Sequence, residues 1–334
     1  MSRSDKICYV GASKSSSDDG VCESETNDML QNMSTDNKDV VVCANCGKEG
    51  DNLKACTACE LVKYCNRECQ IAHRPQHKKE CRKRAAELHD EKLFKQPPPK
   101  YGDCPICFIR MPSLGSGSSY FACCGKAICS GCIHAPVYDD QGNEMIEKIC
   151  PFCRVPAANS EEEYVERLNK RVEAGDFIAI GKLGGYYAAG ENGFPQDYTK
   201  ALELWHRAAD LGYARAYCNI GWAYLHGSGV NADKKKSIYY FELAAMGGSV
   251  LAQSNLGLNE GIVGNYDRAL KHFMIAVRSG NNDSLKNIKE LYKCGHATKE
   301  DYTKALQAYQ AYLGEIKSPQ RDKAAAFSEK HRYY

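Results

Sequence analysis

The cysteines of this chain constrain its fold more than any other feature. There are 19 among 334 residues, and fifteen of them lie between Cys43 and Cys153. Most occur in pairs two residues apart, a spacing with which one tight turn offers two ligands to a metal ion. The N-terminal stretch has no apolar core of secretory length, so we expect no signal peptide and a reducing, cytoplasmic or nuclear location. In such a compartment, clustered cysteines favour metal binding over disulfides.

Bulk composition excludes several functional classes. Hydrophobic residues make up 43% of the chain and charged residues 26%, which is ordinary for a soluble protein. The net charge of +2 does not favour binding to nucleic acid, so we do not expect a nucleic-acid partner. No apolar run approaches membrane-spanning length, so we expect no membrane insertion.

The segment 41–82 holds enough donors for two tetrahedral zinc sites. Its eight candidate ligands are Cys43, Cys46, Cys56, Cys59, Cys65, Cys69, His77 and Cys81. The last four form two pairs with a spacing of four residues, so the members of each pair share one face of a helix.

This spacing, together with Tyr64 and Gln70, closely resembles the MYND-type zinc finger. The resemblance implies a protein-interaction module that often holds short proline-rich peptides. It also implies two interleaved zinc sites, one with Cys43, Cys46, Cys65 and Cys69, the other with Cys56, Cys59, His77 and Cys81. Arg74 departs from the family, which commonly has a tryptophan three residues before the histidine ligand. This departure weakens the expectation of peptide binding and leaves that of metal binding unchanged.

A basic stretch follows the first cysteine cluster. We interpret Lys78, Lys79, Arg82, Lys83 and Arg84 as a solvated helix face, with nucleic-acid contact or nuclear targeting as the weaker alternative. Residues 83–100 then read as a basic helix and a stiff linker, QPPPK. His73 is expected to be a surface histidine.

Residues 101–155 contain a second cysteine cluster with three well-spaced pairs. They are Cys104/Cys107, Cys129/Cys132 and Cys150/Cys153. The arrangement resembles a RING finger, in which the first and third ligand pairs share one zinc. That implies one site from Cys104, Cys107, Cys129 and Cys132, and a second from Cys150, Cys153 and two donors in the middle of the segment.

The middle donors are the unusual part of this finger. A RING finger usually has Cys-x-His here, and in Cys124-Gly125-Lys126 a lysine stands in the histidine position. Either Cys123 and Cys124 both ligate, or Cys124 ligates together with His134. We favour the first, all-cysteine arrangement, because His134 lies beyond the third pair and would break the cross-brace order. About four zinc ions per chain are then expected in all, with Lys126 a surface residue.

The RING resemblance implies a ubiquitin ligase, which acts by holding a ubiquitin-conjugating enzyme and its thioester in a reactive pose. Ile106, Pro151 and Arg154 match positions of the family's enzyme-docking surface. Against this, no tryptophan lies between Cys132 and Cys150, where many active RING fingers have one. The alternative is a non-catalytic adaptor whose fingers and repeats each bind a protein partner. No residue is predicted to be catalytic in the covalent sense.

Residues 160–315 repeat with a period of 36 or 37 residues, apart from a shortened third unit. The segment DYTKALELW recurs as DKKKSIYYF, YDRALKHF and DYTKALQAY. A period of this length with two helices per unit predicts an α-solenoid, and the pattern resembles the Sel-like repeat, a relative of the tetratricopeptide repeat. Trp205, Phe241, Phe273 and Tyr309 are expected to fill equivalent core positions. Such a solenoid usually presents a concave protein-binding surface.

The predicted fold class is small zinc-stabilised domains followed by an all-α solenoid of helix-turn-helix repeats. Residues 1–40 are rich in Ser, Asp and Asn and are expected to be a disordered tail. Residues 316–334 are expected to be a C-terminal tail. We expect the protein to act in ubiquitination or as a scaffold. We expect its partners to be proteins and expect no membrane association.

Overall fold

The computed structural model describes residues 41–95, 102–114, 117–136 and 149–333. The predicted tail at residues 1–40 and the QPPPK linker lie outside these residues. The chain divides into two compact units, with the boundary between Lys92 and Leu93. Each unit is described by itself below.

The first unit is small and has little secondary structure. Strands β1 (Lys54–Ala55) and β2 (Lys63–Tyr64) pair antiparallel, and helix α1 (Arg67–Leu93) follows. Asn66 begins the helix, since its side-chain oxygen accepts a hydrogen bond from the Cys69 amide at 2.8 Å. The buried side chains of this finger are those of Cys43, Cys56, Cys59 and Tyr64.

The second unit starts with a second finger. Strands β3 (Ser118–Phe121) and β4 (Lys126–Cys129) form an antiparallel hairpin, in which Ser118 pairs with Cys129 and Phe121 with Lys126. The short helix α2 (Ser130–His134) follows directly. The turn of this hairpin contains Cys123 and Cys124, so the strand register itself sets their position.

A helical solenoid follows the second finger. Its nine helices among the described residues, α3 to α11, are Glu161–Glu173, Phe177–Ala189, Tyr198–Asp210, Ala214–His226, Lys234–Met246, Val250–Ile262, Tyr266–Arg278, Asn282–Lys293 and Lys299–Ile316. Helix α3 begins at Ser160, whose hydroxyl accepts from the Glu163 amide as the sequence predicts. Gly212 and Gly248, in left-handed conformation, let the chain turn after two of these helices.

Successive repeats pack an aromatic ring against a glycine. A Cβ atom on Gly184 would lie 2.7 Å from the Trp205 ring, and one on Gly221 would lie 2.8 Å from Phe241. Gly257 faces Phe273 in the same way, at 2.6 Å. The equivalent core positions predicted for these three aromatic residues are therefore confirmed, and the glycines explain why the rings fit. The predicted fold class is confirmed as well.

The C-terminal segment is not a tail. Helix α12 spans Pro319–Phe327, and a 3-10 turn spans Glu329–His331. The Ser318 hydroxyl caps α12 by accepting from the Arg321 amide, and Arg321 and Tyr333 are buried. The expectation of a tail was wrong because this segment is stabilised by packing against the second finger, which local composition does not reveal.

Within the described residues, no helix is both long enough and apolar enough to cross a membrane.

Candidate metal centres

The first finger brings its eight candidate ligands into two groups. Helix α1 supplies Cys69 to one group and His77 and Cys81 to the other, and the segments around β1 and β2 supply the remaining donors. Within each group the donor atoms all lie within 4.8 Å of one another. The groups are Cys43, Cys46, Cys65 and Cys69, and Cys56, Cys59, His77 and Cys81.

The donor spacing fits a metal ion rather than disulfides. Cys46 and Cys65 place their sulfurs 3.7 Å apart, and Cys59 Sγ lies 3.2 Å from His77 Nε2. A zinc ion with Zn–S bonds of about 2.3 Å holds tetrahedral sulfurs roughly 3.8 Å apart, whereas a disulfide requires about 2 Å. The donor set and spacing are therefore those of structural zinc sites.

The second finger forms two more groups in cross-brace order. The first and third cysteine pairs make one group, and the last pair joins the two middle cysteines in the other. These groups are Cys104, Cys107, Cys129 and Cys132, and Cys123, Cys124, Cys150 and Cys153. Cys153 and Cys123 lie 3.4 Å apart, and Cys124 and Cys150 lie 3.8 Å apart, sulfur to sulfur.

The structure places His134 away from this fourth group. Its ring packs against Phe327 and His331 of the C-terminal segment, with centroids 4.7 and 5.9 Å apart. Lys126 is exposed at the start of β4. The geometry thus brings together the all-cysteine set, with the turn between β3 and β4 aligning adjacent cysteines toward one point.

A shared backbone turn, which we call the knuckle, occurs at four of the Cys-x2-Cys pairs. After each pair, the next residue donates its amide to the carbonyl of the first cysteine, at 2.9–3.0 Å. That next residue is left-handed each time, and it is Gly47, Glu60, Phe108 or Arg154. The conformation costs a non-glycine residue about 1–2 kcal/mol. The metal bond that closes the loop offsets this cost.

The thiols of each group do not ionise equally. Hydrogen bonding, chiefly from Cys129, lowers the pKa of Cys104 to about 4. Burial and then the charge of Cys104 raise the pKa of Cys132 to about 12. In the first finger, backbone hydrogen bonds lower the pKa of Cys43 to about 6, while hydrogen bonding to a neighbouring thiol raises that of Cys65 to about 12. The negative charge of one thiolate disfavours ionisation of the neighbouring thiols, so a divalent cation is needed to hold four thiolates together.

His73 is more than a surface histidine. Its Nδ1 atom lies 3.1 Å from the buried Tyr64 hydroxyl, and its ring stacks on His77 with centroids 5.7 Å apart. His73 and His77 are one helical turn apart, which brings their rings together. The expectation of an exposed histidine was wrong, and this helical spacing from a predicted ligand was the signal that could have corrected it.

Two arginines hold the second finger, one on α3 at the start of the solenoid and one on α12, which follows its last helix. On α3, Arg171 donates to the carbonyls of Ala122 and Cys123 at 3.1 and 2.7 Å. On α12, Arg321 donates to the carbonyls of Ile109 and Arg110 at 3.1 and 2.7 Å. The finger is therefore built into the second unit through its own ligand-bearing loops.

Arg321 is fully buried, with 0% of its surface exposed. Among the described residues, no carboxylate lies within ion-pair distance of it. A hydrogen bond to Cys104 and burial raise the pKa of Cys129, and the Arg321 guanidinium opposes that rise. Four thiolates around Zn²⁺ carry two net negative charges, so the third group supplies the charge that this buried arginine needs. Ser318-Pro319 followed by Asp322 is a helix-start signal that could have indicated an ordered element here.

The predicted docking residues of the second finger have different surroundings. Ile106 and Pro151 are half-buried, and Ile106 packs against the cysteine-rich core. Arg154 is exposed and follows the last knuckle. Sequence reasoning missed Phe108, which follows the first knuckle with 77% of its surface exposed, and Phe152, which is 43% exposed.

In the first finger, Arg74 is exposed on helix α1. The basic stretch after it is mixed in character: Lys78, Lys79 and Lys83 are exposed, whereas Arg84 forms ion pairs with two glutamates of its own helix.

Comparison with protein-family models identifies two regions. The MYND finger model matches residues 43–81. The Sel1 repeat model matches residues 178–213, 214–249 and 250–281. The chain carries a MYND finger and Sel1 repeats. Both are protein-interaction modules. The second finger matches no family model, so its similarity to a RING finger stands on its two cysteine groups.

Two solved structures are similar to part of the chain. A Sel1 repeat protein from Oxalobacter formigenes is 28% identical, with a TM-score of 0.39, and the match covers 50% of this chain and 65% of that one. The protective antigen c5321 of uropathogenic Escherichia coli strains, which displays an SLR fold, is 26% identical, with a TM-score of 0.39, covering 49% and 36%. The chain thus spans less than two thirds of either protein. No curated protein matches the chain significantly.

Proposed function

We propose that this protein is a RING-type ubiquitin ligase that works in the cytoplasm or nucleus and uses its repeat solenoid to select substrates. The carrying observation is the exposure of apolar side chains on both knuckles of the second finger. A RING finger uses these loops to dock the conjugating enzyme. Exposed aromatic side chains beside a charged residue are the composition of a protein-docking site.

The proposed chemistry is positional. The ligase forms no bond to ubiquitin, and the zinc ions hold the knuckles in shape. Phe108 and Phe152 contribute apolar contact to the conjugating enzyme. Arg154 contacts the bound ubiquitin and restricts the thioester to reactive poses.

Phe108→Gly tests the proposal without damaging the fold. The left-handed backbone at this residue suits glycine, so the substitution removes the ring while relieving strain. We expect the variant to retain about four zinc ions and to lose at least about tenfold in the rate of ubiquitin-chain formation, because the docking contact is lost. The assay combines purified protein, ubiquitin, activating enzyme and a panel of conjugating enzymes.

The matched control is Ile262→Ser at the end of α8, where the isoleucine is 61% exposed. It removes a comparable exposed apolar side chain and should leave the rate unchanged. If the wild-type protein builds no chains with any conjugating enzyme, the ligase proposal fails. If Arg154→Ala keeps the full rate, the role assigned to Arg154 fails.

The second candidate function is a non-catalytic adaptor. It is favoured by the packing of α2 against α12, where a Cβ atom on Gly131 would lie 2.8 Å from the Arg321 amide nitrogen. This contact covers one side of the second finger with the protein's own C-terminal helix. An inactive wild-type protein with full zinc content would favour this function.

A further inference from the structure

A cavity of about 800 Å³ lies within the second unit. Strand β3 of the second finger forms one wall with Ser118, Ser119 and Tyr120, and the solenoid helices α3 to α6 form the other. Its volume lies within the range of roughly 300–1,000 Å³ that ligand sites occupy. The hydroxyl of Tyr120 donates to Asp176 at 2.7 Å, and this bond links the hairpin to the repeats beside the cavity.

Two cationic side chains line this cavity, Lys182 from α4 and Arg215 from α6. Among the described residues, no carboxylate lies within 4 Å of either cationic group. Glu191 also lines the cavity but makes no ion pair with them. Burial lowers the pKa of Lys182, and the charge of Arg215 lowers it further. An anion between the two would therefore gain from both charges and relieve their repulsion.

The rest of the lining supplies polar and aromatic groups. The Lys182 ammonium lies 5.8 Å from the centre of the Tyr120 ring, and the hydroxyls of Tyr164 and Tyr186 lie 3.2 Å apart. The amide side chain of Asn219 offers donors beside the cations. Cationic groups with hydroxyl and amide donors are the recognition chemistry of a carboxylate.

Polar side chains recur at one equivalent position in successive repeats of the solenoid. Lys182 precedes Leu183-Gly184, Asn219 precedes Ile220-Gly221, and Asn255 precedes Leu256-Gly257. The three side chains thus occupy the same position on α4, α6 and α8. A peptide laid across successive repeats would meet them one after another, which a small free anion would not.

We propose that this cavity binds carboxylate groups of an acidic segment in a partner protein, with Lys182 and Arg215 as the contacting cations. The inference rests on the proposed role of the solenoid in holding a partner, and it names the chemistry of that partner. The site is composite: the finger contributes one wall and the repeats contribute the charges.

The test is fluorescence anisotropy with a fluorescein-labelled hexaglutamate peptide, made with a free or an amidated C-terminus. We expect saturable binding to the full chain and at least about tenfold weaker binding to Lys182→Met and to Arg215→Met, since each loses a charge-assisted contact. Stronger binding of the free-acid peptide assigns the site to a terminal carboxylate, and equal binding assigns it to acidic side chains.

Lys200→Met is the matched control. Lys200 is exposed on α5 with its ammonium over the Tyr187 ring, and it does not line the cavity. It should bind the peptide like the wild type. The proposal is overturned if neither peptide binds saturably, if both cavity variants bind as tightly as the wild type, or if Lys200→Met weakens binding equally.

This measurement uses no ubiquitin enzymes, and chain formation without substrate does not use the cavity. Peptide binding with no chain formation would thus remove the ligase proposal and keep the site. Chain formation with no peptide binding would remove the site and keep the ligase proposal.

Discussion

The first finger, residues 43–81, and the second, residues 102–155, build metal sites on the same knuckle but bury them in different surroundings. The first has three cysteines and Tyr64 as its buried core. The second is hydrogen-bonded by Arg171 of α3 and Arg321 of α12. The comparison shows that similar cysteine-rich sites can form the whole core of one small domain and, in another, be packed against a larger one.

A domain with so small a core depends on its metal, because few apolar side chains are available to offset the entropy of folding. The second finger has a further source of stability, because arginines from outside the finger donate hydrogen bonds to its backbone carbonyls. Zinc loss should therefore have a local effect in the first finger and a wider effect in the second.

Zinc removal tests this difference with the largest expected effect. Structural zinc supplies about 10–16 kcal/mol to isolated fingers, so Cys56→Ser should abolish amide-exchange protection in strands β1 and β2. Cys153→Ser should instead lower the unfolding temperature of the repeats, because its loop lies in the finger that is hydrogen-bonded to the solenoid. Hydrogen exchange and calorimetry, with metal analysis, measure both outcomes.

Cys294→Ser is the control for these substitutions, since Cys294 is exposed and belongs to none of the four groups. It should keep about four zinc ions and wild-type melting. Surviving protection of β1 and β2 in Cys56→Ser would contradict the dependence of the first finger on metal.

Arg321→Met should have the next largest effect. It leaves the carbonyls of Ile109, Arg110 and Ile316 without this donor and the third cysteine group without its buried counter-charge. Breaking a buried charge pair costs about 3–5 kcal/mol, which urea unfolding followed by repeat helicity would report. Arg332→Met, at an exposed ion pair with Glu329, should change stability by less than about 0.5 kcal/mol. Equal stability of the two variants would show that Arg321 does not anchor the finger.

A pair of glycine substitutions should give the smallest difference. A Cβ atom on Gly131 would meet the Arg321 amide nitrogen at 2.8 Å and the Gln320 carbonyl carbon at 3.1 Å. Because the backbone cannot move aside cheaply, Gly131→Ala should destabilise the second unit by about 1–3 kcal/mol. Gly50→Ala in the first finger meets nothing within 4 Å and should be neutral. Thermal denaturation of both variants decides whether the α2–α12 contact is as tight as described.

Much of the metal chemistry follows from the sequence. Donor counting predicts that Cys123 compensates for Lys126, and the hairpin turn does bring Cys123 and Cys124 to Cys150 and Cys153. The repeat period predicts the aromatic positions, because each glycine that faces a ring recurs with the same spacing. Local patterns carry this information since a knuckle or a helical turn involves residues close together in the chain.

The remaining features depend on contacts between residues far apart in the chain. Arg321 and Ile109, or Tyr120 and Asp176, are joined by hydrogen bonds that no local pattern encodes. For the same reason the C-terminal segment was expected to be a tail, and the cavity lined by Lys182 and Arg215 was not expected at all. By itself the sequence determined the candidate ligands, the knuckles and the repeating helices, because these features depend on residues close together in the chain. Only the tertiary structure decided that the second finger closes onto the solenoid and creates a charged cavity, because burial and charge pairing depend on which distant surfaces meet.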